Sequence, residues 1–569
     1  MALMCCGIGA ESGMDGGVSL RTGGRILADA LVANGVERAF CVPGESYLAL
    51  LDALYDTPVR VTVCRNEGGA AMAAEAWGKL TGRPGIVMAT RGPGAANASG
   101  GLHVGRQDST PMILLLGQVA RRWRDREAFQ EMNFKAFFGE VAKWTAEIDD
   151  PARIPEYLSR AFYEATSGRP GPVVLGLPED MLRESAAVAD AAPWVQVETW
   201  PGLTQMAQLQ KLLWAAKAPL LVLGGSRWSP SAVQSVRRFA ERFALPVACS
   251  FRRQMLFDHD HPNYAGDLGI GPSPALATRM READLLLLVG GRMSEMPSAS
   301  YGHIAIPEPR QALVHVHPGA EELGRLYRPT LAINASPTAF AAALEGVQQP
   351  NEIPWAGEAE KANAAYRAWI EPVENPGAVQ MSRIIAWLNE RLPEDAIIAN
   401  GAGNYAGWVH RFYRFRRYGT QLAPTSGTMG YGLPAAIAAK LRHPDRIVVC
   451  FAGDGCFQMN MQEFATAAQE QAAIVVVVVN NGIHGTIRMH QERDYPDRHI
   501  ATDLVDPDFA AYARACGGHG ESVATTEDFA PAFERALAAG KPALIDLRFS
   551  PEAITPMRTM SQIRGSGRG

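Results

Sequence analysis

The chain has 569 residues, 47% hydrophobic and 20% charged, with a formal net charge of −5 and a mean hydropathy of −0.07. That length exceeds a single hydrophobic core and predicts about four domains. The charge balance carries no footprint of a nucleic-acid or anionic-membrane partner, and no apolar run reaches the ~20 residues of a membrane span.

The predicted elements follow in chain order. Residues 1–21 are Gly- and Met-rich and read as a disordered tail containing Cys5-Cys6. No basic stretch followed by an apolar core marks a secretory leader there, so the expected location is cytoplasmic. From Gly23, GGRILADALVANGVERAFCVPG reads as helix, turn and strand. VRVTVCRNEGGAAMAAEAWGKLTGRPGIVMAT then gives a strand, a helix opening at Asn66-Glu67, and another strand. The loop RGPGAANASGG, a helix, the strand Met112–Leu116 and a final helix and strand complete an α/β domain over 22–185. An Ala/Pro-rich linker leads to a second α/β block, 200–347, with strands near Leu220–Leu223, Val247, Leu285–Val289 and Leu313–Val316. A partly helical linker follows, then a third block over 375–550, its last strand Ala543–Leu547, and a short polar tail. The fold class is α/β, three doubly wound parallel-sheet domains of one architectural type. Eight cysteines show no CxxC pair, and Cys41, Cys64, Cys249 and Cys450 lie in or beside apolar runs, as core residues of a reducing compartment do.

The third block holds the most informative stretch, IVVCFAGDGCFQMNMQEFATAAQEQAAIVVVVVNNGIHGT. Two β-branched runs, Ile447–Phe451 and Ile474–Val479, read as neighbouring buried parallel strands joined by a helix over Gln462–Gln471. Asp454 and Asn481 then sit just past the carboxyl ends of these strands, where open α/β sheets bind ligands. Gly453 and Gly455 permit a tight turn and close backbone approach. The amides that follow, Cys456 among them, suit a phosphate at a helix start. Asp454 and Asn481 offer hard oxygen ligands for magnesium or calcium. Two unrelated turns are the bland alternative.

GDG followed, after a helix and a strand, by NN resembles the motif of the thiamine diphosphate-dependent 2-oxo acid decarboxylases and carboligases. The resemblance implies pyrimidine-binding, central and diphosphate-binding domains. It places thiamine diphosphate against Gly403, Asn404 and Tyr405 of GAGNYAGW, against Gly453, Asp454, Gly455 and Cys456, and against Asn481, Ile483, His484 and Gly485. Magnesium takes the side chains of Asp454 and Asn481 and the carbonyl of Ile483. In APTSGTMGYGLPAA, Gly427 matches the glycine whose carbonyl meets the pyrimidine amino group, and Met429 matches the apolar wedge that bends the coenzyme. On position alone this stretch is a turn with a core methionine.

Glu67, at a helix start, reads by itself as an N-terminal charge with a capping role. In RNEGGAAMAAEAW it matches the family's catalytic glutamate on the aminopyrimidine ring, a proton relay suited to a buried carboxylate. The Gly92–Asn97 loop lacks dinucleotide spacing, and Pro93 removes a donor, so it reads as a turn lining the active site. The run Arg411–Arg417 reads as an amphipathic helix end with solvated arginines in preference to a nucleic-acid patch.

The resemblance covers residues 22–550 and is closest to the acetolactate synthase branch, through GPGAAN, DSTPMILLLGQV, AFQE, SGRPGPVVLGLPED and GTMGYGLPAAIAAK. It makes Phe129 and Gln130 candidates for the active site, with a buried packing corner as the alternative. Four departures stand out. PGES puts Glu45 on the substrate side. Arg292-Met293-Ser294-Glu295-Met296 replaces the stretch whose last arginine meets the second 2-oxo acid. His317 stands where an acidic residue meets a flavin ribose. The tail lacks the usual Met-Pro-rich closing segment. FAD or another adenine nucleotide in the central domain stays open.

The leading expectation is a thiamine diphosphate- and magnesium-dependent carboligase, a lyase or transferase acting on a 2-oxo acid, with no nucleic-acid or membrane partner. Because its two site halves lie in different domains, the resemblance implies sites completed across a homodimer, and a homotetramer as a dimer of dimers. The rivals are a decarboxylase releasing an aldehyde, a silent thiamine diphosphate binder, and a nicotinamide-dependent oxidoreductase.

Overall fold

The computed structural model describes residues 19–566. The apolar runs become three six-stranded sheets, each wholly parallel with helices on both faces, as strands buried on two sides require. The first sheet runs Arg60–Val63, Arg38–Cys41, Gly85–Thr90, Met112–Gln118, Pro172–Pro178, Trp144–Glu147. The third runs Gln421–Leu422, Ile397–Asn400, Val448–Gly453, Val475–Asn480, Ala543–Arg548, His519–Val523. Numbered in chain order within each sheet, both read 2-1-3-4-6-5. The central sheet is Tyr264–Leu268, Val247–Ser250, Pro219–Leu223, Leu285–Val289, Ala312–His317, Leu331–Asn334, and reads 3-2-1-4-5-6. The central domain is therefore a different winding. Its strands Tyr264–Leu268 and Leu331–Asn334 were not anticipated, because YAGDL and LAIN are short and carry polar or small residues.

One apolar core joins the outer domains. It runs from Phe40, Val87 and Leu114 through the Ala-rich helix Glu67–Thr81 to Ile437, Val449 and Val477. The central sheet has separate cores on its two faces. All three domains meet at a buried ionic cluster. Lys79 pairs with Asp108 and, at 3.1 Å, with Glu75, whose other oxygen accepts from the Tyr431 hydroxyl at 2.7 Å. Asp108 Oδ1 accepts from the Thr425 amide at 2.7 Å, and its carbonyl accepts from Arg253 of the central domain at 3.1 Å. Burial pushes the Glu75 carboxyl up, against the pull of Lys79. At Asp108 burial acts the same way, but Lys79 and Arg253 win and hold it below the carboxylate range.

Four local expectations need correction. Residues 1–18 of the expected tail, with Cys5-Cys6, lie outside the described residues. Leu20–Thr22, however, form a strand antiparallel to Ser185–Ala187, because backbone groups there find ladder partners. Gly92–Asn97 are not a turn but the first turns of the helix Arg91–Asp108, where Pro93 is tolerated because first-turn amides lack intrahelical acceptors. The helix Tyr405–Phe412 ends inside the basic run, and its arginines are engaged. Arg411 lies 3.7 Å from the Trp369 ring centroid and Arg414 pairs with Asp260 at 2.7 Å. The polar tail folds back as the helix Met560–Ser566, burying Met560 and Ile563 against Ile483 and Ile554.

Candidate active site

In the third sheet the strand order reverses between Ile397–Asn400 and Val448–Gly453, so a crevice opens past their carboxyl ends. Gly401–Tyr405 and Gly453–Cys456 leave those two strands side by side. Gly403 has φ +146°, and a Cβ there would strike the Tyr405 ring at 2.9 Å. The Tyr405 hydroxyl turns inward, accepting from the Gly401 amide at 3.0 Å and meeting Cys456 Sγ at 3.3 Å, while that sulfur accepts from the Gly430 amide at 3.3 Å. The side chains of Tyr405 and Cys456 thus brace the floor under three loops. Only their first-turn amides remain to meet a diphosphate. Asn404 is held from the side by Thr486, whose hydroxyl donates to its Oδ1 at 2.9 Å.

Asp454, 3% exposed, ties GDG to the Asn-Asn loop. Its Oδ1 accepts from the Gly455 amide at 2.7 Å, and its Oδ2 accepts from the amides of Asn481 at 3.1 Å and Gly482 at 2.6 Å. Asn481 Oδ1 accepts from the Ile483 amide at 3.3 Å, and His484 packs on Gly455, leaving no room for a side chain there. A Cβ on Gly485 would approach Ile554 at 2.8 Å. Burial pushes the Asp454 carboxyl up against those amides, and burial plus the charge of Asp454 does the same to Asp506. Neither makes an ion pair with a basic side chain among the described residues. A buried carboxylate without a counter-charge, such as Asp454, is costly, and a hard cation is the partner it fits. No group of three or more His, Cys, Asp or Glu among the described residues is arranged to hold a metal. A cation at Asp454 would therefore need further oxygens, which Asn481, main-chain carbonyls and a bound ligand could supply.

The loop after Leu422 carries the two residues that the sequence assigns to the pyrimidine. Gly427 has φ +70° with open space where a Cβ would stand, and Met429 is half-buried.

In the first domain, Asn66 and not Glu67 caps the helix, its Oδ1 accepting from the Gly68 amide at 2.8 Å. Glu67, 9% exposed, is thereby free of capping. Its Oε2 accepts from Asn97 Nδ2 at 2.9 Å, and its Oε1 lies 3.2 Å from where a Cβ on Gly94 would stand. The Ala128–Glu131 segment lies over the start of the helix Arg91–Asp108, with the Gln130 carbonyl accepting from the Gly92 amide at 2.9 Å. Phe129 is 74% exposed, so it is no buried packing corner.

Among the described residues, the Glu67 side chain bonds only inside its own domain. What links it to the diphosphate half is Glu463, 1% exposed, whose Oε1 accepts from the amides of Asn66 at 2.9 Å and Arg65 at 3.0 Å. Nearby Asn460 donates to the Gly430 carbonyl at 3.0 Å. Sequence reasoning missed Glu463, Asn460 and Asp108. Each acts across hundreds of residues, and no local pattern marks it.

The central sheet reverses its order between Pro219–Leu223 and Leu285–Val289, and a small crevice opens there. Gly225 and Gly290 press together so closely that a Cβ on Gly225 would stand 1.8 Å from the Gly290 carbonyl oxygen. Arg253 and Arg292 line the crevice. His317, at the end of its strand, is buried, and its Nδ1 accepts from the Gly319 amide at 3.0 Å. Burial holds its pKa down to about 4. The two arginines make this lining positive, and His317 presents a neutral imidazole at its strand end.

Comparison with known proteins agrees with this architecture. The N-terminal TPP binding domain of the thiamine pyrophosphate enzymes matches residues 21–137, their central domain 206–344, and their C-terminal TPP binding domain 401–547. The acetolactate synthase isozyme 2 large subunit of Escherichia coli is 31% identical, across 92% of this chain and 94% of its own length. The acetolactate synthase large subunit of Parasynechococcus marenigrum is also 31% identical, across 92% and 87%. The acetolactate synthase of Mycobacterium bovis is 30% identical, across 94% and 89%. Two sheets of one strand order, with buried Glu67 at the edge of one and buried Asp454 at the edge of the other, meet these matches over nearly the whole chain: it belongs to the thiamine pyrophosphate-dependent enzymes, in their acetolactate synthase-like branch.

Proposed function

We propose that this thiamine diphosphate-dependent carboligase takes a 2-oxo acid donor, releases carbon dioxide from it, and joins the remaining fragment to a second carbonyl, with magnesium as the cation at Asp454. The observation that carries this reading is the pair of carboxylates with unlike surroundings. Glu67 is oriented by Asn97 and spared from capping, whereas Asp454 is buried among amides with no cationic side chain.

When bound, thiamine diphosphate supplies a thiazolium that serves as electron sink while carbon dioxide leaves. Glu67 takes up and returns a proton at its carboxylate, on the pyrimidine side, and Asn97 fixes the direction in which that carboxylate points. Gly427 would leave space for the pyrimidine, and Met429 would pack against the coenzyme as an apolar wedge. The first-turn amides after Gly403 and Gly453 bind the diphosphate, and Asp454, Asn481 and the Ile483 carbonyl hold the magnesium. Phe129 and Gln130 stand at the substrate side of the Glu67 edge. Each site is completed by two subunits, which makes a homodimer the smallest active unit and a homotetramer its dimer of dimers. The reading includes a cytoplasmic location, which buried free cysteines support; among the described residues no helix is long and apolar enough to cross a membrane.

Met296, where the branch has an arginine for the second 2-oxo acid, favours one second reading: release of the fragment as an aldehyde. A panel of 2-oxo acids, assayed for carbon dioxide with the mass of each product, separates the two. A folded sample that binds no thiamine diphosphate with magnesium in a thermal-shift titration overturns both.

A further inference from the structure

Arg91 begins the helix that follows the third strand of the first sheet, at that sheet's own reversal of order. Its backbone is left-handed, φ +44°, and Gln130 opposite it has φ +64°. Such conformations are uncommon in residues bearing a Cβ and concentrate at functional sites. Arg91, Gly94 and Asn97 are spaced three apart and share one helix face. Asn97 bonds Glu67 and a Cβ on Gly94 would stand 3.2 Å from its Oε1, so Arg91 lies one turn before the stretch that faces that carboxylate.

Its guanidinium is only partly used. Arg91 is 7% exposed, with Nη2 donating to Glu179 at 3.0 Å and Nη1 reaching the Phe129 carbonyl at 3.4 Å. The buried Nε–H has no partner. Glu45 Oε1 lies 3.5 Å from Nη1, at the far limit of a hydrogen bond, and that side chain is 60% exposed. The Glu45 loop is itself anchored, because the Ser46 hydroxyl bonds the Thr90 hydroxyl. A guanidinium fork with a free buried donor is suited to a carboxylate, and Glu45 is a weakly held one tethered at the mouth.

We propose that Arg91 anchors the carboxylate of the second 2-oxo acid, and that Glu45 is a tethered carboxylate which this substrate displaces. The inference rests on the carboligase reading and supplies the cation that Met296 does not.

The test uses the full chain loaded with thiamine diphosphate and magnesium, and the variants Glu45→Gln, Arg91→Met and Arg91→Lys. Coenzyme titration establishes that each variant is folded. The first readout is the kcat/KM for a 2-oxo acid acceptor divided by that for an aldehyde acceptor. The second is calorimetric affinity for oxamate, an unreactive 2-oxo acid analogue. Removing the tethered competitor raises both by roughly three- to tenfold, and Arg91→Met lowers both by at least about tenfold, the scale of a lost charged contact. Arg91→Lys, which keeps charge but loses the fork, falls between. Values within about twofold of wild type for Glu45→Gln and Arg91→Met, or a fall in Glu45→Gln, overturn the proposal. Wild-type protein that releases no carbon dioxide from any 2-oxo acid removes the carboligase reading instead, and the oxamate measurement still decides Arg91.

Discussion

The first and third sheets share one strand order and open at the same place, yet they present opposite chemistry there. The first offers ionisable side chains that can move or attract charge: Glu67 freed from capping by Asn66, and Arg91 with an idle donor. The third offers main-chain amides, glycines and a buried Asp454 that pairs with no basic side chain among the described residues. The winding supplies the location, and side chains decide whether it does proton work or holds a diphosphate.

Glu67→Gln attacks the first edge alone. It keeps coenzyme affinity while kcat falls by roughly 10²- to 10⁴-fold, the range for a lost acid–base group; equal losses in binding and turnover would merge the two roles. Lys79→Met strikes the cluster between the edges, leaving Glu75 and Asp108 buried without their shared cation. Denaturant melts should show a loss of about 3–5 kcal/mol, the scale for breaking a buried pair. Asp454→Ala attacks the third edge. Wild type at a hundredfold excess of coenzyme over Kd gains about 2.7 kcal/mol, and in the variant that magnesium-dependent rise in Tm disappears.

Glu463→Ala tests the tie between the edges by stripping the acceptor from the Arg65 and Asn66 amides. It costs about 1–3 kcal/mol of stability and, by loosening the Asn66 cap, lowers kcat more than coenzyme affinity. The smallest effect concerns the helix Met560–Ser566, which only the third edge possesses. Arg564 bonds to Glu492 at 2.7 and 2.9 Å and holds its carboxyl below the usual range. A depressed carboxylate contributes stability above its unfolded pKa and loses it as pH falls through the folded value. Amide exchange in residues 560–566 should therefore quicken below about pH 4, by the ~0.5–1 kcal/mol of a partly exposed pair.

What was legible in the sequence was whatever repeats locally. Valine and isoleucine runs ending at Gly453 and at Asn480-Asn481-Gly482 gave the parallel strands at Val448–Gly453 and Val475–Asn480, and Asn66-Glu67 gave the helix start. Strands broken by glycine, aspartate or proline, such as Tyr264–Leu268, carried too weak an alternation. The GPGAAN segment looked like a turn because three of its features, two glycines and a proline, are turn formers; tertiary packing on Glu67 and Gln130 makes it helical. Arg411 and Arg414 looked solvated because Trp369 and Asp260, which engage them, belong to distant stretches. The motif residues were readable, but the inward turn of the Tyr405 hydroxyl, the bond from Asn97 to Glu67 and the reach of Glu463 were not. Each depends on which loops the fold brings together.

The short pairing of Leu20–Thr22 with Ser185–Ala187 brings the first domain's opening and closing stretches to the same spot. A module whose entry and exit adjoin can be spliced beside another without rerouting either backbone. Three sheets of two different windings could thus be strung on one chain, each inheriting its ligand crevice ready-made, and later divergence needed to alter only the side chains at each rim.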